Sequence, residues 1–577
     1  MLFNRLNVFH FCFAVAAHLV VLTAGAQQRY DFGAPLTIPL VLKGTYGEIR
    51  TNHFHSGIDL KTEGRVGLPV LAVANGYVSR IKVDEYGFGR AIYITHDNGY
   101  VSVYAHLHKF CEAIEQPVYA MQKSSGSFST ELFPAKNKIR ILKGDTLAFS
   151  GNSGGSAGPH LHFEIRNAKT EIPLDPLDYG FVFKDDIPPV LSALKIYSVN
   201  DDFSEINTLY HVYPKTVDGQ SFFIPTAIHA AGKVAVAFSA YDKANADDAT
   251  LGLKKAELFC NGKLIYAYRM KAFSFEENKL VNGHIDYATK QNGEGVFERC
   301  FVVPGNSFSQ YYAVVNKGII NMAASDTIKC ELVLTDAAKN KVVCKWNMIK
   351  VNKNLTSVLN ASLGLALPSK TFYSNRKNEI QNPYFSLFTA ENSFYRNFRF
   401  PLDTLAALRT TEFPVVTIGD VHEPLKKSAT LSFPVSWNKT AFNDKLTLVK
   451  LLSKDRTVAI KSNYNYGAVT GRISEFGRYT LAVDTMPPVL SKVTTKTDTI
   501  YKCRIITIDA RDDLSGIKYY NATLNGLWIL SEYDYKNESI ICYLKNDNFS
   551  GKANLKVNVT DGKGNKAVLN AVVKLKH

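Results

Sequence analysis

Short alternations of apolar and polar residues, broken by Gly, Asn and Asp turns, run through almost the whole chain and predict an all-β protein. The clearest is Gly158-Pro159-His160-Leu161-His162-Phe163-Glu164. Side chains two apart on a strand share a face, so His160, His162 and Glu164 point one way and Leu161, Phe163 and Ile165 the other. That describes a strand with its back in a core and two imidazoles facing a cleft. Two histidines so close can both hold a metal, or one can hold it while the other handles a proton. Upstream, strands are predicted over 69–74, 76–81, 91–96, 100–106 and 138–142, with another ending at Phe149 and a short amphipathic helix over 112–124. On 100–106 the alternation puts Val101, Val103 and Ala105 on one face. Ser102, Tyr104 and His106 fall on the other, with His106 closing the strand on a polar face.

With 577 residues the chain exceeds what one core usually serves, so several domains are expected. Its 30 Tyr and 35 Phe agree with β-structure. The formal charge of +15 is spread along the chain without a long basic run, which argues against nucleic acid as a partner. Arg5, an apolar stretch from Val8 to Leu22 and the Ala24-Gly25-Ala26 site read as a secretory signal over 1–26. No later segment reads as a membrane span, so the mature protein is expected to be exported, to the periplasm or cell envelope. Export permits disulfides. Cys330 and Cys344 flank a predicted hairpin turn and are the candidate pair across it, the pairing itself being left open, while Cys111 is the candidate left without a partner.

Seven of the 14 histidines lie between His53 and His162. His55 and Asp59 stand four apart around Gly57, which lets the backbone bend so that both aim at one ion. The small-residue loop 150–158 can run close to the sheet without blocking the cleft. Together with His106 and the two-histidine strand, these features point to a catalytic zinc site of two imidazoles and one carboxylate, with water in the fourth position. Most of residues 40–178 also resembles the lysostaphin-type zinc metallopeptidases, which cut peptide cross-links in bacterial cell walls. The resemblance rests on His55-Ser56-Gly57-Ile58-Asp59, Gly67-Leu68-Pro69-Val70-Leu71-Ala72, Tyr104-Ala105-His106-Leu107, Gly144-Asp145, Ser150-Gly151-Asn152-Ser153-Gly154 and the His160–Glu164 strand. It implies that His55, Asp59 and His162 bind zinc and that His106 and His160 handle protons. The segment 110–138 is longer than the family's minimal core and is expected to form a wall or lid over the groove. Glu164 has two readings, a partner that orients a histidine or a surface ion pair. His53, His96 and His108 are read as turn or surface residues.

Beyond Asp185 an internal repeat replaces reactive motifs. Asp186-Ile187-Pro188-Pro189-Val190-Leu191-Ser192 is echoed by Asp484-Thr485-Met486-Pro487-Pro488-Val489-Leu490-Ser491, and each copy carries an Asn-Gly hairpin signal, Asn261-Gly262 and Asn525-Gly526. The acidic pairs Asp247-Asp248 and Asp512-Asp513 are read as solvated turns in preference to calcium sites. The expected organisation is a peptidase domain over 27–185 built on an antiparallel sheet, then immunoglobulin- or fibronectin-like β-sandwich modules over 186–352 and 485–577, with a further β-rich module over 353–484. The function expected is zinc-dependent hydrolysis of peptidoglycan peptides, at stem or cross-bridge, and the later modules are open to binding glycan, contacting an envelope protein, positioning the peptidase or merely spacing it. The alternatives are a non-catalytic envelope protein that binds wall peptides or activates an amidase, and a peptidase of exported proteins.

Overall fold

The computed structural model describes residues 31–245, 249–352, 369–402, 413–435, 442–452, 456–545, 549 and 551–575. Residues 1–26, read above as a signal, and Asp247 and Asp248 lie outside them. The described fold is almost entirely antiparallel β-sheet, with one helix longer than two turns, Glu112–Ser125, over the stretch predicted as helical. The few parallel pairings join the short strands Ser221–Phe223 and Ile228–Ala230 to Lys341–Lys350. Among the described residues no helix is long and apolar enough to cross a membrane.

The first sheet runs in the order Leu42–Gly44, Ile58–Lys61, His160–Asn167, Tyr100–Leu107, Arg90–His96, Gly76–Val83 and Thr130–Leu132. A small second sheet, Pro69–Leu71, Thr146–Phe149 and Lys109–Phe110, packs beside it. Leu161, Phe163 and Ile165 are fully buried in the core with Val70, Leu147 and Tyr104, as the alternation requires. The opposite face is covered too. Ala91, Tyr93, Val101, Val103 and Ala105 form a smaller apolar cluster there, beside Phe88.

This core does not stop at Asp185. It continues through the sheets that follow, to Met348, and takes in Tyr501 and Tyr543 from the last one. Phe54 stacks on Phe308 with ring centroids 4.3 Å apart. The Tyr46 hydroxyl donates to the Pro173 carbonyl and accepts from the Phe273 amide. The described strands between 369 and 483 form three further sheets, of two, five and four strands, around their own aromatic core, which includes Phe372, Phe400 and Phe476. The last seven strands, Val489–Asp498 to Lys566–Leu575, fold around Ile506, Ile529 and Val557. Strand Leu527–Asp534 pairs with Ile517–Leu524 at its start and with Ser539–Leu544 at its end, which bends the ladder over that core. Both Asn-Gly pairs are two-residue hairpin turns with positive φ at each residue, 49° and 76° at Asn261-Gly262 and 50° and 83° at Asn525-Gly526. That is the conformation these residues favour.

Two expectations are corrected. The seven cysteines from Cys111 to Cys542 are all free thiols. Cys330 lies opposite Trp346, not Cys344, and its direct cross-strand neighbour is Cys260, with the sulfurs 3.7 Å apart. Strand register, not closeness to the turn, decides which residues meet. Among the described residues lining the cleft at the histidines, none comes from the segment 110–138, the expected wall. Its helix Glu112–Ser125 turns away to the last sheet, where Lys545 meets the Glu115 carboxylate and lies over Tyr119.

Candidate metal centre

Three adjacent strands bring the candidate residues together. In the register of the central strand, His162 lies opposite Asp59 on one side and Ala105 on the other. His55 reaches the same point from the turn before Ile58–Lys61. That turn needs glycine at its centre, because a Cβ on Gly57 would meet the Phe163 carbonyl oxygen at 2.4 Å and Glu164 Cγ at 2.8 Å. The ligating atoms of His55, Asp59 and His162 all lie within 4.8 Å of one another. His55 Nε2 is 3.0 Å from His162 Nδ1, and each nitrogen is 3.1 Å from Asp59 Oδ1.

The other atoms of these side chains are already engaged. His55 Nδ1 bonds the Thr45 carbonyl at 2.8 Å, so that nitrogen carries the proton and Nε2 presents its lone pair. Asp59 Oδ2 accepts from Arg50 at 3.0 Å. His162 Nε2 faces Glu164 Oε1 at 3.0 Å, which leaves Nδ1 for the pocket. Glu164 is fully buried and also takes Ser56 Oγ and the Arg166 guanidinium. Burial opposes its ionisation, but Arg166 and the bond to His162 outweigh it and hold the carboxyl down at about 2. Glu164 therefore orients the histidine, and the surface ion-pair reading falls. Burial likewise opposes a charge on His162, yet the bonds to Asp59 and Glu164 raise it to about 9. A cation bound at Nδ1 would displace the proton that these carboxylates favour there. Two imidazole nitrogens and a carboxylate oxygen, with their second atoms tied back, are donors suited to zinc with one position left for water. On that arrangement Glu164→Gln is expected to weaken metal affinity about 10–100-fold, as read by titration against a competing chelator.

His160 and His106 flank this cluster. His160 Nδ1 bonds the Gly158 carbonyl at 2.8 Å, and its Nε2 lies 3.4 Å from Asp59 Oδ1. His106 Nδ1 bonds the Ser153 carbonyl at 2.9 Å, and its ring centre is 4.8 Å from that of His160. Both rings thus turn Nε2 away from their backbone anchors. Burial, then the neighbouring His162 and His160, push His106 down to about 3, so it stays neutral near pH 7.

His106 arrives by a route that alternation does not foresee. Tyr104 lies opposite Phe163 and packs against it in the core, whereas Ala105 shares the face of His162. Strict alternation would send His106 into the core with Tyr104. Instead His106 has a φ of 57°, and two residues of its strand bulge against one of the neighbour, between the pairs Arg90 with Leu107 and Ile92 with Tyr104. A bulge of this kind re-aims a side chain, and a non-glycine residue held at positive φ is conformationally costly. The face carrying Ser102 and Tyr104 is accordingly core, not polar surface. His96 is buried there as well, bonded to Ser102 Oγ and to the Asn75 carbonyl, and is not a surface residue.

The cluster opens into a cleft of about 510 Å³ lined by Lys43, Arg50, Phe88 and Ser156, with Phe275 and Asn278 supplied from beyond Asp185. Those last two residues carry no motif, and nothing in the sequence marks them. On the loop side, Lys536 of the last sheet donates to the Asn152 and Ser156 carbonyls, and Ser156 Oγ lies 3.1 Å from His160 Nδ1.

A model of peptidase family M23 matches residues 53–130, which include His55, Asp59 and His106, and a Zu5-like domain model matches residues 369–484. An uncharacterized metalloprotease of Haemophilus influenzae is 32% identical over 121 residues, 21% of this chain and 20% of that protein. The DD-carboxypeptidase/endopeptidase Mpg of Neisseria gonorrhoeae is 32% identical over 118 residues, 20% of this chain and 21% of that one. The peptidoglycan DD-endopeptidase ShyC of Vibrio cholerae is 27% identical over 127 residues, 22% of this chain and 23% of its own length. The matched stretch thus spans about a fifth of these curated relatives. Among solved structures, the catalytic domain of lysostaphin from Staphylococcus simulans is 21% identical over 26% of this chain and 93% of its own, with a TM-score of 0.18. Residues 53–130 thus match peptidase family M23, and residues 369–484, among the β-rich modules that follow, match a Zu5-like domain.

Proposed function

We propose that this protein is an exported zinc metalloendopeptidase that hydrolyses peptide cross-links of peptidoglycan, with His55, Asp59 and His162 as ligands and His106 and His160 as proton carriers. The observation that carries the reading is the buried His–Asp–His cluster with two further histidines beside it, each tied back through Nδ1. Zinc held there would polarise a scissile carbonyl and lower the pKa of a bound water. The chain's own residues do the rest. His160 or His106 accepts the proton of the attacking water and returns it to the leaving amine. Arg50 holds Asp59 in place through Oδ2. Phe88 and Phe275 give the cleft apolar walls that exclude water around the reacting bond. The similarity to the Neisseria DD-carboxypeptidase/endopeptidase and the Vibrio peptidoglycan DD-endopeptidase supports peptidoglycan peptides as the substrate class.

Muropeptide analysis tests this reading. Purified peptidoglycan is incubated with the mature protein, with His162→Ala, and with wild type stripped of zinc and then reloaded. Loss of cross-linked species with wild type alone, restored by zinc, is the expected result and identifies the bond cut. No change in any sample from protein carrying one zinc per chain would count against a wall hydrolase, and would favour a regulator or a peptidase of exported proteins.

A further inference from the structure

Away from the peptidase cleft, two clusters of three aspartates stand at equivalent places in the repeat: Asp185, Asp242 and Asp336 in the first copy, Asp484, Asp512 and Asp561 in the second. Each set has ligand oxygens within 4.8 Å of one another. In each, the first aspartate lies just ahead of the Pro-Pro pair, the second extends the alternating strand that follows, and the third opens the final hairpin turn. An asparagine four residues past the third aspartate organises both sites alike. Asn340 donates its amide and side chain to Asp336 and its side chain to the Asp185 carbonyl. Asn565 makes the same three bonds to Asp561 and Asp484.

The first cluster cannot be read as a solvated turn. Asp242 and Asp336 are 0% exposed and Asp185 is 8% exposed. Both carboxylate oxygens of Asp242, and Oδ2 of Asp185, are buried with no hydrogen-bond partner. Among the described residues none of the three has a basic partner, and the charges that bear on Asp242 are those of Asp336 and Asp185. Burial, then those neighbours, push Asp242 up to about 8. The second copy lacks this signature: both carboxylate oxygens of Asp484 and of Asp561 accept hydrogen bonds, and Asp512 is only half-buried, with Oδ2 bonded to the Gly516 amide. The three buried carboxylates of the first cluster, with lone pairs of Asp242 and Asp185 unclaimed, are matched by a bound hard cation.

We propose that the first cluster binds one calcium ion, which ties the incoming chain at Asp185 to two loops of the repeat it enters. The donors are all oxygen, without His or Cys, which separates this site chemically from the zinc-type cluster. Several carboxylates suit the six to eight oxygens of calcium better than the strict octahedron of magnesium. The ion would fix how the first repeat is joined to the peptidase fold that precedes it.

The test is equilibrium dialysis of the full mature chain against calcium alone, with bound metal counted by atomic emission and the thermal midpoint followed in parallel. Wild type is expected to bind one calcium ion per chain and to gain several degrees in midpoint. Asp242→Asn should bind none, while Asp512→Asn and His162→Ala should still bind one. Asparagine keeps the shape and removes a repelling charge, so these variants should fold. The thermal response of wild type reads the same site without any substitution. Absence of calcium binding by wild type at millimolar calcium, or a count of one in Asp242→Asn, would overturn the proposal.

Discussion

Asp59→Ala is expected to lower kcat/KM on cross-linked muropeptides by at least about 10³-fold, because a metal's stabilisation of transition-state charge amounts to several kcal/mol and each 1.36 kcal/mol is tenfold in rate. Asp59 is the hub of the cluster. Its Oδ1 faces His55, His160 and His162, and its Oδ2 takes Arg50. Alanine removes the only carboxylate of the proposed ligand set and leaves three imidazoles and a guanidinium crowded together, so cation affinity should fall with activity. Measured zinc content separates this outcome from simple unfolding, as does a thermal midpoint near that of wild type. Full activity with bound zinc in Asp59→Ala would refute the ligand assignment. His106→Ala makes the complementary case. It should keep the metal and lose about 10²–10⁴-fold in kcat, the usual worth of a positioned proton carrier.

Glu532→Ala should destabilise the protein by about 3–5 kcal/mol, the cost of stranding one member of a buried ion pair. Arg90, on a strand of the peptidase sheet, meets Glu532 of the last sheet at 3.0 Å, with side chains only 6% and 12% exposed. The guanidinium lies 4.8 Å over Phe128, and Tyr543 donates to the same carboxylate. Without Glu532 that charge has no compensation, and the Tyr543 hydroxyl loses its acceptor. Urea denaturation followed by tryptophan fluorescence checks the figure, since Trp528 sits in the same last sheet. The double change Arg90→Met with Glu532→Leu should recover most of the loss, because apolar side chains can fill such a site at little cost. A loss below about 1 kcal/mol in Glu532→Ala, the range of exposed pairs, would mean that water reaches the contact in solution. The site is two residues from Phe88, and Lys536 of the same sheet grips the loop that anchors His106 and His160. Loosening this contact is therefore expected to reach the cleft.

Period-two patterning was enough to read the all-β class and the apolar back of the His160–Asn167 strand, since alternation and burial are the same fact on a strand. The Asn-Gly hairpins were legible because their turn conformation is a local preference. The candidate site residues were legible because their chemistry is unusual and concentrated between His53 and His162. What depended on distant chain was not. His106 points at the cluster through a bulge whose partner strand is Arg90–His96, against its own alternation. Cys330 faces Cys260 by a register that no spacing encodes. Phe275 lines the cleft, Arg90 finds Glu532, and Asp242 meets Asp185 and Asp336 across long separations, each as an ordinary residue in its own stretch of sequence. Local order follows from each residue's backbone preference and pattern. The cleft, the clamp and the aspartate clusters follow from which surfaces exclude water together, and tertiary packing alone decided that.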